Sequence, residues 1–270
     1  MKLSKLYIYG LIGILLMEAC QLNTDKEKTQ AGKPAADTLA YAYEDYIKYS
    51  SNLIKTSETT DTTFFAASYP VFDEPTADRF VRMALLGNDT TTVAEAAGTF
   101  IGEFDRFFAS DPFPRVWTSA SHAKVYSITP TYLALAIHAS SYTGGAHGNY
   151  ATIFKHYDLQ ANEPLALGDI VNPSFQNELT AVAERYFRNQ ENLGVNQPLE
   201  GTYFFDDGRF SLPDNFALES DSMLFLYNIY EIKPYVNGQT ELRVPYADLE
   251  RLLTDRAKRI ITELNTPIEP

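Results

Sequence analysis

The stretch TYLALAIHASSYTGGAHGNYATIFKHYDL, Thr131 to Leu159, decides the fold. Its first half alternates. Leu133, Leu135 and Ile137 recur at every second residue, the period of a strand that turns one face to a core. Three glycines within five positions, Gly144, Gly145 and Gly148, interrupt the run, and a second strand-like run leaves them from Asn149. Just upstream, VWTSASHAKVYSIT reads as a further strand, joined to the first across Thr129–Pro130.

Outward from this centre the period changes to that of helices. EPTADRFVRMALLGND sets Phe80, Ala84 and Leu85 on one side and ends at Gly87, a helix stop. Thr92 followed by Glu95 is a capping box, and Val93, Ala97, Phe100, Phe104 and Phe107 recur behind it as a core stripe. AYAYEDYIKYSSNLI, 40–54, fits either a strand or a helix. Downstream, Asn172 and Pro173 open a helix with Phe175, Leu179, Val182 and Tyr186 facing inward. NFALES and MLFLYNIY form a hairpin turning at Asp221–Ser222, and QTELRVPY is another strand. The closing ADLERLLTDRAKRIITEL reads as a helix with Leu249, Leu253, Ile260 and Leu264 on one face. Strands and helices come in blocks without βαβ alternation. The expected class is therefore α+β: a mostly antiparallel β-sheet packed with helices, in two interlocked subdomains spanning 39–158 and 159–270.

The N-terminus points to export. Lys2 and Lys5 precede an apolar run from Leu6 to Met17, too short to span a bilayer and suited to a secretory signal. MEAC follows, ending in Cys20, the single cysteine of the chain. This arrangement resembles a bacterial lipoprotein signal, 1–19, cut before Cys20 so that its thiol is acylated. The polar stretch 20–38 lacks an apolar period and reads as a flexible tether. The expected location is the bacterial envelope, on the periplasmic side or the cell surface, held to the membrane through the lipid anchor alone. One cysteine excludes an intrachain disulfide.

The formal charge is −13, from 22 basic and 35 acidic residues. Such a chain has no sequence-wide footprint for nucleic acid or an anionic lipid surface. Its charge suits solubility, or a basic partner.

SYTGGAHGNY, YDLQANEPLALGDIV and MLFLYNIYEIKPYVNGQTELRVPYADLERLL, taken in that order, resemble an extracytoplasmic domain of unknown function. It is the domain found in the anti-sigma factor RsiV, and a similar one accompanies the peptidoglycan deacetylase PdaC. The resemblance covers roughly Tyr69 to Leu264 and makes 159–270 the RsiV-like subdomain. In that family a Gly-Gly-Ala-His loop precedes a Tyr-Glu-x-x-Pro-Tyr element and a closing helix. The sequence shows no counterpart of the sigma-binding part, the membrane span or the deacetylase domain, so neither activity is implied. What the resemblance implies is an exported sensor or binding module, with lysozyme or a cell-wall fragment as partner and no cofactor.

The candidate ligand-binding residues are Tyr142, Thr143, Gly144, Gly145, Ala146, His147 and Gly148 in the loop, with Tyr230, Glu231, Pro234 and Tyr235 in YEIKPY. Both segments are irregular and rich in Gly, Pro and Tyr. They spend backbone order without adding core burial, so they are expected to meet in one surface. Two readings of the loop stand side by side: the glycines make a tight corner that His147 fixes, or their backbone contacts a ligand. A third makes His147 a general base with Glu231 in a cell-envelope hydrolase acting on peptidoglycan, although no nucleophile accompanies them. A hairpin centred on His147 would set His138 opposite His156, but no residues at metal-ligand spacing support a metal, and none is assigned.

Overall fold

A computed structural model describes residues 39–266, so the signal, Cys20 and the tether lie outside the described residues. Six strands form the main sheet: β1 (Tyr41–Lys55), β2 (Thr60–Phe72), β3 (Thr118–Ile128), β4 (Tyr132–Tyr142), β5 (Asn149–Asp158) and β6 (Glu163–Leu165), neighbours in that order. Segment 40–54 is thus strand. All pairings are antiparallel except β2 with β3. That pair is parallel because two helices, α1 (Pro75–Leu86) and α2 (Val93–Ser110), form the crossover between its strands.

The predicted stop of α1 and the predicted start of α2 are both present. Gly87 stops α1 at φ 74°, and Thr92 and Glu95 close the full capping box of α2. Phe100, Phe104 and Phe107 gather around Trp117 at 6.1, 5.8 and 5.0 Å, so the aromatic stripe is core. Phe80 of α1 stacks on Tyr157 at 4.8 Å, against Leu133 and Leu135 of β4. Alternation understates β4, because every residue from Tyr132 to Ile137 is buried. The other face of β4, at Tyr132 and Ala134, is covered by the C-terminal half, and a strand covered on both faces loses its alternation.

That half holds a second sheet of β7 (Phe216–Leu218), β8 (Ser222–Tyr227) and β9 (Thr240–Pro245), with helices α3 (Leu167–Ile170), α4 (Gln176–Gln190) and α5 (Asp255–Leu264). Ser222 already belongs to β8, so its hairpin turns one residue earlier than the sequence suggests. Asn172 caps a 3₁₀ turn, Pro173–Phe175, ahead of α4. The buried stripe of α4 is Leu179, Ala183 and Phe187, while Phe175, Val182 and Tyr186 pack at its flank. The closing segment is not one helix. Leu253 bridges to Val171, and Thr254 caps α5 by accepting the Ala257 N–H, so α5 starts only at Asp255. Leu249, Leu252 and Leu253 therefore enter the core as loop residues.

Two contacts lock the halves. Asp158, 1% exposed at the end of β5, accepts the Gln160 and Ala161 N–H groups and meets Arg259 and Arg256 of α5 at 3.1 and 3.3 Å. Farther along β5, the Asn228 side chain accepts from Thr152 N–H and donates to its carbonyl, while Asn215 accepts from Phe154 N–H. These amides replace the partner strand that β5 lacks there. They also carry the Tyr230 segment to the glycine loop.

Candidate functional site

The last ladder pair of the β4/β5 hairpin is Ser141 with Asn149, leaving Tyr142 to Gly148 to make the turn. Gly144 and Gly145 stand at φ 108° and 111°, which an L side chain rarely adopts, and a Cβ on Gly148 would lie 3.0 Å from the Ser141 carbonyl oxygen. The corner therefore accounts for all three glycines. Tyr142 Oη donates to the Gly145 carbonyl at 3.0 Å and braces the turn.

His147 Nδ1 lies 2.9 Å from the Gly148 carbonyl oxygen, so that nitrogen carries the proton and donates. In the neutral ring Nε2 is then an acceptor, and the Tyr230 hydroxyl donates to it at 3.0 Å. The imidazole also stacks on Tyr235, with ring centres 4.0 Å apart and planes inclined by 25°. Tyr150, the second residue of β5, meets the Tyr235 ring edge-on at 6.0 Å. Four rings from two segments thus form one cluster on the surface.

YEIKPY alternates between anchor and display. Ile232 is buried and Lys233 pairs with Glu191 at 2.7 Å, fixing the backbone. Tyr230 between β8 and Ile232 is 49% exposed and sits at φ 66°, a conformation that costs a non-glycine residue on the order of 1–3 kcal/mol. Pro234 leads into a 3₁₀ turn, Tyr235–Asn237, which presents Tyr235 to the imidazole.

The two predicted segments therefore meet, through His147, Tyr230 and Tyr235. Thr143, Gly144 and Ala146 are exposed on the loop, and Pro234 is exposed beside its partner turn. Glu231 lies outside the ring cluster; its carboxylate accepts the Asn228 N–H at 2.8 Å. It lines a separate hollow of about 420 Å³ with Asp206 and Asp214, where no lysine or arginine contributes. Tyr150 and Asn228 were missed. Tyr150 follows the loop directly and was open to inference, whereas a lone asparagine carries no pattern.

The expected pairing of His138 with His156 is corrected. Because the turn is centred on Gly145 rather than His147, the ladder sets His138 opposite Thr152 and His156 opposite Ala134. On its other side His138 faces His122 of β3. His156 is buried: its Nδ1 receives the Tyr132 hydroxyl at 2.7 Å, and its Nε2 donates to the Phe216 carbonyl at 2.8 Å. Among the described residues no three His, Cys, Asp or Glu side chains gather as a metal site would require.

Residues 168–247 match the model of a family described as a protein of unknown function, DUF3298. The chain also shares its fold with two solved DUF3298 proteins. One, from Bacteroides fragilis, is 20% identical with a TM-score of 0.69, and the likeness covers 87% of this chain and 100% of the other. The second, from Pseudomonas aeruginosa, is 22% identical with a TM-score of 0.64, over 83% and 98% of the two chains. No curated protein matches. The DUF3298 region supplies Tyr230 and Tyr235, and the sheet before it supplies His147 and Tyr150. The cluster thus sits where the matched region meets the strands that precede it.

Proposed function

We propose that this chain is a non-enzymatic binding module, exported and lipid-anchored through Cys20 in the bacterial cell envelope. In this reading the 1–38 segment directs and tethers it, and the folded body is an RsiV-like sensor domain. Its contact surface is the ring cluster of His147, Tyr230, Tyr235 and Tyr150, and its partner is a basic protein such as lysozyme or a cell-wall fragment.

One observation carries the reading. Tyr230 is held at positive φ with its ring half in solvent, and the hydroxyl is aimed at an imidazole 83 residues away in sequence. Strain of that kind without burial gains nothing for the core, and tyrosines offer a ligand apolar area with a hydroxyl at low entropy cost. The acidic hollow at Glu231 and the charge of −13 suit a basic partner. The hydrolase alternative is weaker, since both nitrogens of His147 hold the site together and Glu231 is spent on a backbone N–H.

The test uses the untethered Cys20→Ser chain. Immobilised, it is expected to capture either lysozyme or soluble peptidoglycan fragments, and Tyr235→Ala should weaken that capture about tenfold or more. Mass spectrometry of the fragments should show no cleavage. Turnover that disappears in His147→Ala would overturn the reading.

A further inference from the structure

The face of the main sheet opposite α1 and α2 is only partly covered. The second sheet packs on it at Ala136 and Phe154, through Ala217, Leu224 and Leu226. Beyond that contact the face forms an open groove of about 770 Å³. The ladder registers set two rows of side chains across five strands. Asp45, Ser68, His122, His138 and Thr152 form one row. Ile47, Ala66, Ala120, Ser140 and Tyr150 form the other. Four inter-strand steps give a floor roughly 19 Å long.

Its chemistry is specific. At the centre of the second row Ala66, Ala120 and Ser140 are small, which leaves a flat bed, with Ile47 and Tyr150 raised at its two ends as exposed apolar walls. The polar heads are oriented: His138 Nδ1 lies 3.1 Å from the Thr152 hydroxyl, His122 stacks parallel to Tyr43, and Gln239 donates to Asn228 at 2.7 Å. Burial and the nearby Lys124 hold both imidazoles below the ordinary histidine range, so they are neutral at pH 7. Neutral imidazole, amide and hydroxyl groups each donate and accept, as sugar hydroxyls do, and the Asp45 carboxylate accepts. Lys124 stands on the same face two residues beyond His122 but outside the lining, and no lysine or arginine lines the groove itself to hold a phosphate or other anion. A peptide would also gain little, because the ladder bonds of these strands lie within the sheet and leave none to share across its face.

We propose that this groove is a second binding site, adjoining the ring cluster at Tyr150 but otherwise built from different residues, for an uncharged oligosaccharide a few rings long. Sugar rings lie flat on the Ala66–Ser140 bed, their hydroxyls meet Asp45, His122, His138 and Gln239, and Tyr150 closes one end. The site does not depend on the partner assigned to the loop surface.

Calorimetric titration of the full Cys20→Ser chain with cellohexaose, chitohexaose and maltohexaose tests the assignment. At least one is expected to bind at one site per chain. Ser140→Trp, which fills the exposed bed, should weaken that binding at least tenfold, as should His122→Ala, each with an unchanged thermal midpoint. Tyr235→Ala should leave it within about twofold. Binding of none of the three at millimolar concentration overturns the proposal. So does binding that survives both groove variants, or that falls with Tyr235→Ala alone.

Discussion

Replacing Phe187 with alanine is expected to cost the fold about 4 kcal/mol. Phe187 lies on the inner stripe of α4 with no exposed surface. Its ring meets Tyr203 and Phe205 edge-on at 5.1 and 5.5 Å and Phe210 at 5.2 Å. Truncation removes the transfer free energy of a phenyl ring and leaves a void. Two of the three neighbours, Tyr203 and Phe205, are held elsewhere and resist collapsing into it. Tyr203 is bonded to Glu191 and lies under Lys233, and Phe205 touches Tyr227. Partial collapse is what makes some large-to-small changes cheap, so this one belongs at the expensive end. Urea denaturation reads it directly, as a fall in the midpoint at unchanged slope. A loss below about 1.5 kcal/mol would mean that the Tyr203–Phe210 segment repacks, and that the support beneath Ile232 and YEIKPY is softer than described.

The second large effect is a loss of stability on mild acidification. Burial lowers the pKa of His156 from 6.5 to about 4, with the Lys155 charge adding a little and the bond to the Phe216 carbonyl opposing. Well above pH 6.5 the ring is neutral folded and unfolded, and the full stability is present. As pH falls from 6.5 towards 4 the unfolded chain takes up a proton that the folded chain refuses, so stability drops, by about 3 kcal/mol in all. The same ring receives Tyr132 and holds Phe216, so it is one of the pins between β4 and the second sheet. His156→Gln should lower stability at pH 7 yet flatten the dependence between pH 6.5 and 4. An unchanged slope in that variant would assign the acid sensitivity to other groups.

What was legible in the sequence was local. The Thr92–Glu95 box, the Gly87 stop and the β4/β5 hairpin each involve residues within a few positions, where propensity and capping decide the outcome. The meeting of the glycine loop with YEIKPY was legible for a different reason: both segments expend backbone order with no core return. The pairing of β2 with β3 was not, since it is made across two helices. Nor was the edge completed by Asn215 and Asn228, because single side chains leave no spacing to detect. The register of the histidines failed by a small amount with a large consequence. A turn centred two residues before His147 moves His138 away from His156 and onto His122. That displacement is what makes the groove visible only in three dimensions. The break at Thr254 went unseen because the leucines before it keep a helical period while entering the core as a loop.

The central claim is that the ring cluster at the meeting of the two segments is the contact surface. Hydrogen–deuterium exchange on the Cys20→Ser chain, with and without lysozyme or soluble peptidoglycan fragments, tests it most directly. With at least one of the two, exchange should slow at Tyr142–Gly148 and at Tyr230–Tyr235 together, and elsewhere change little. Protection confined to other segments, or none with either probe, would contradict the account.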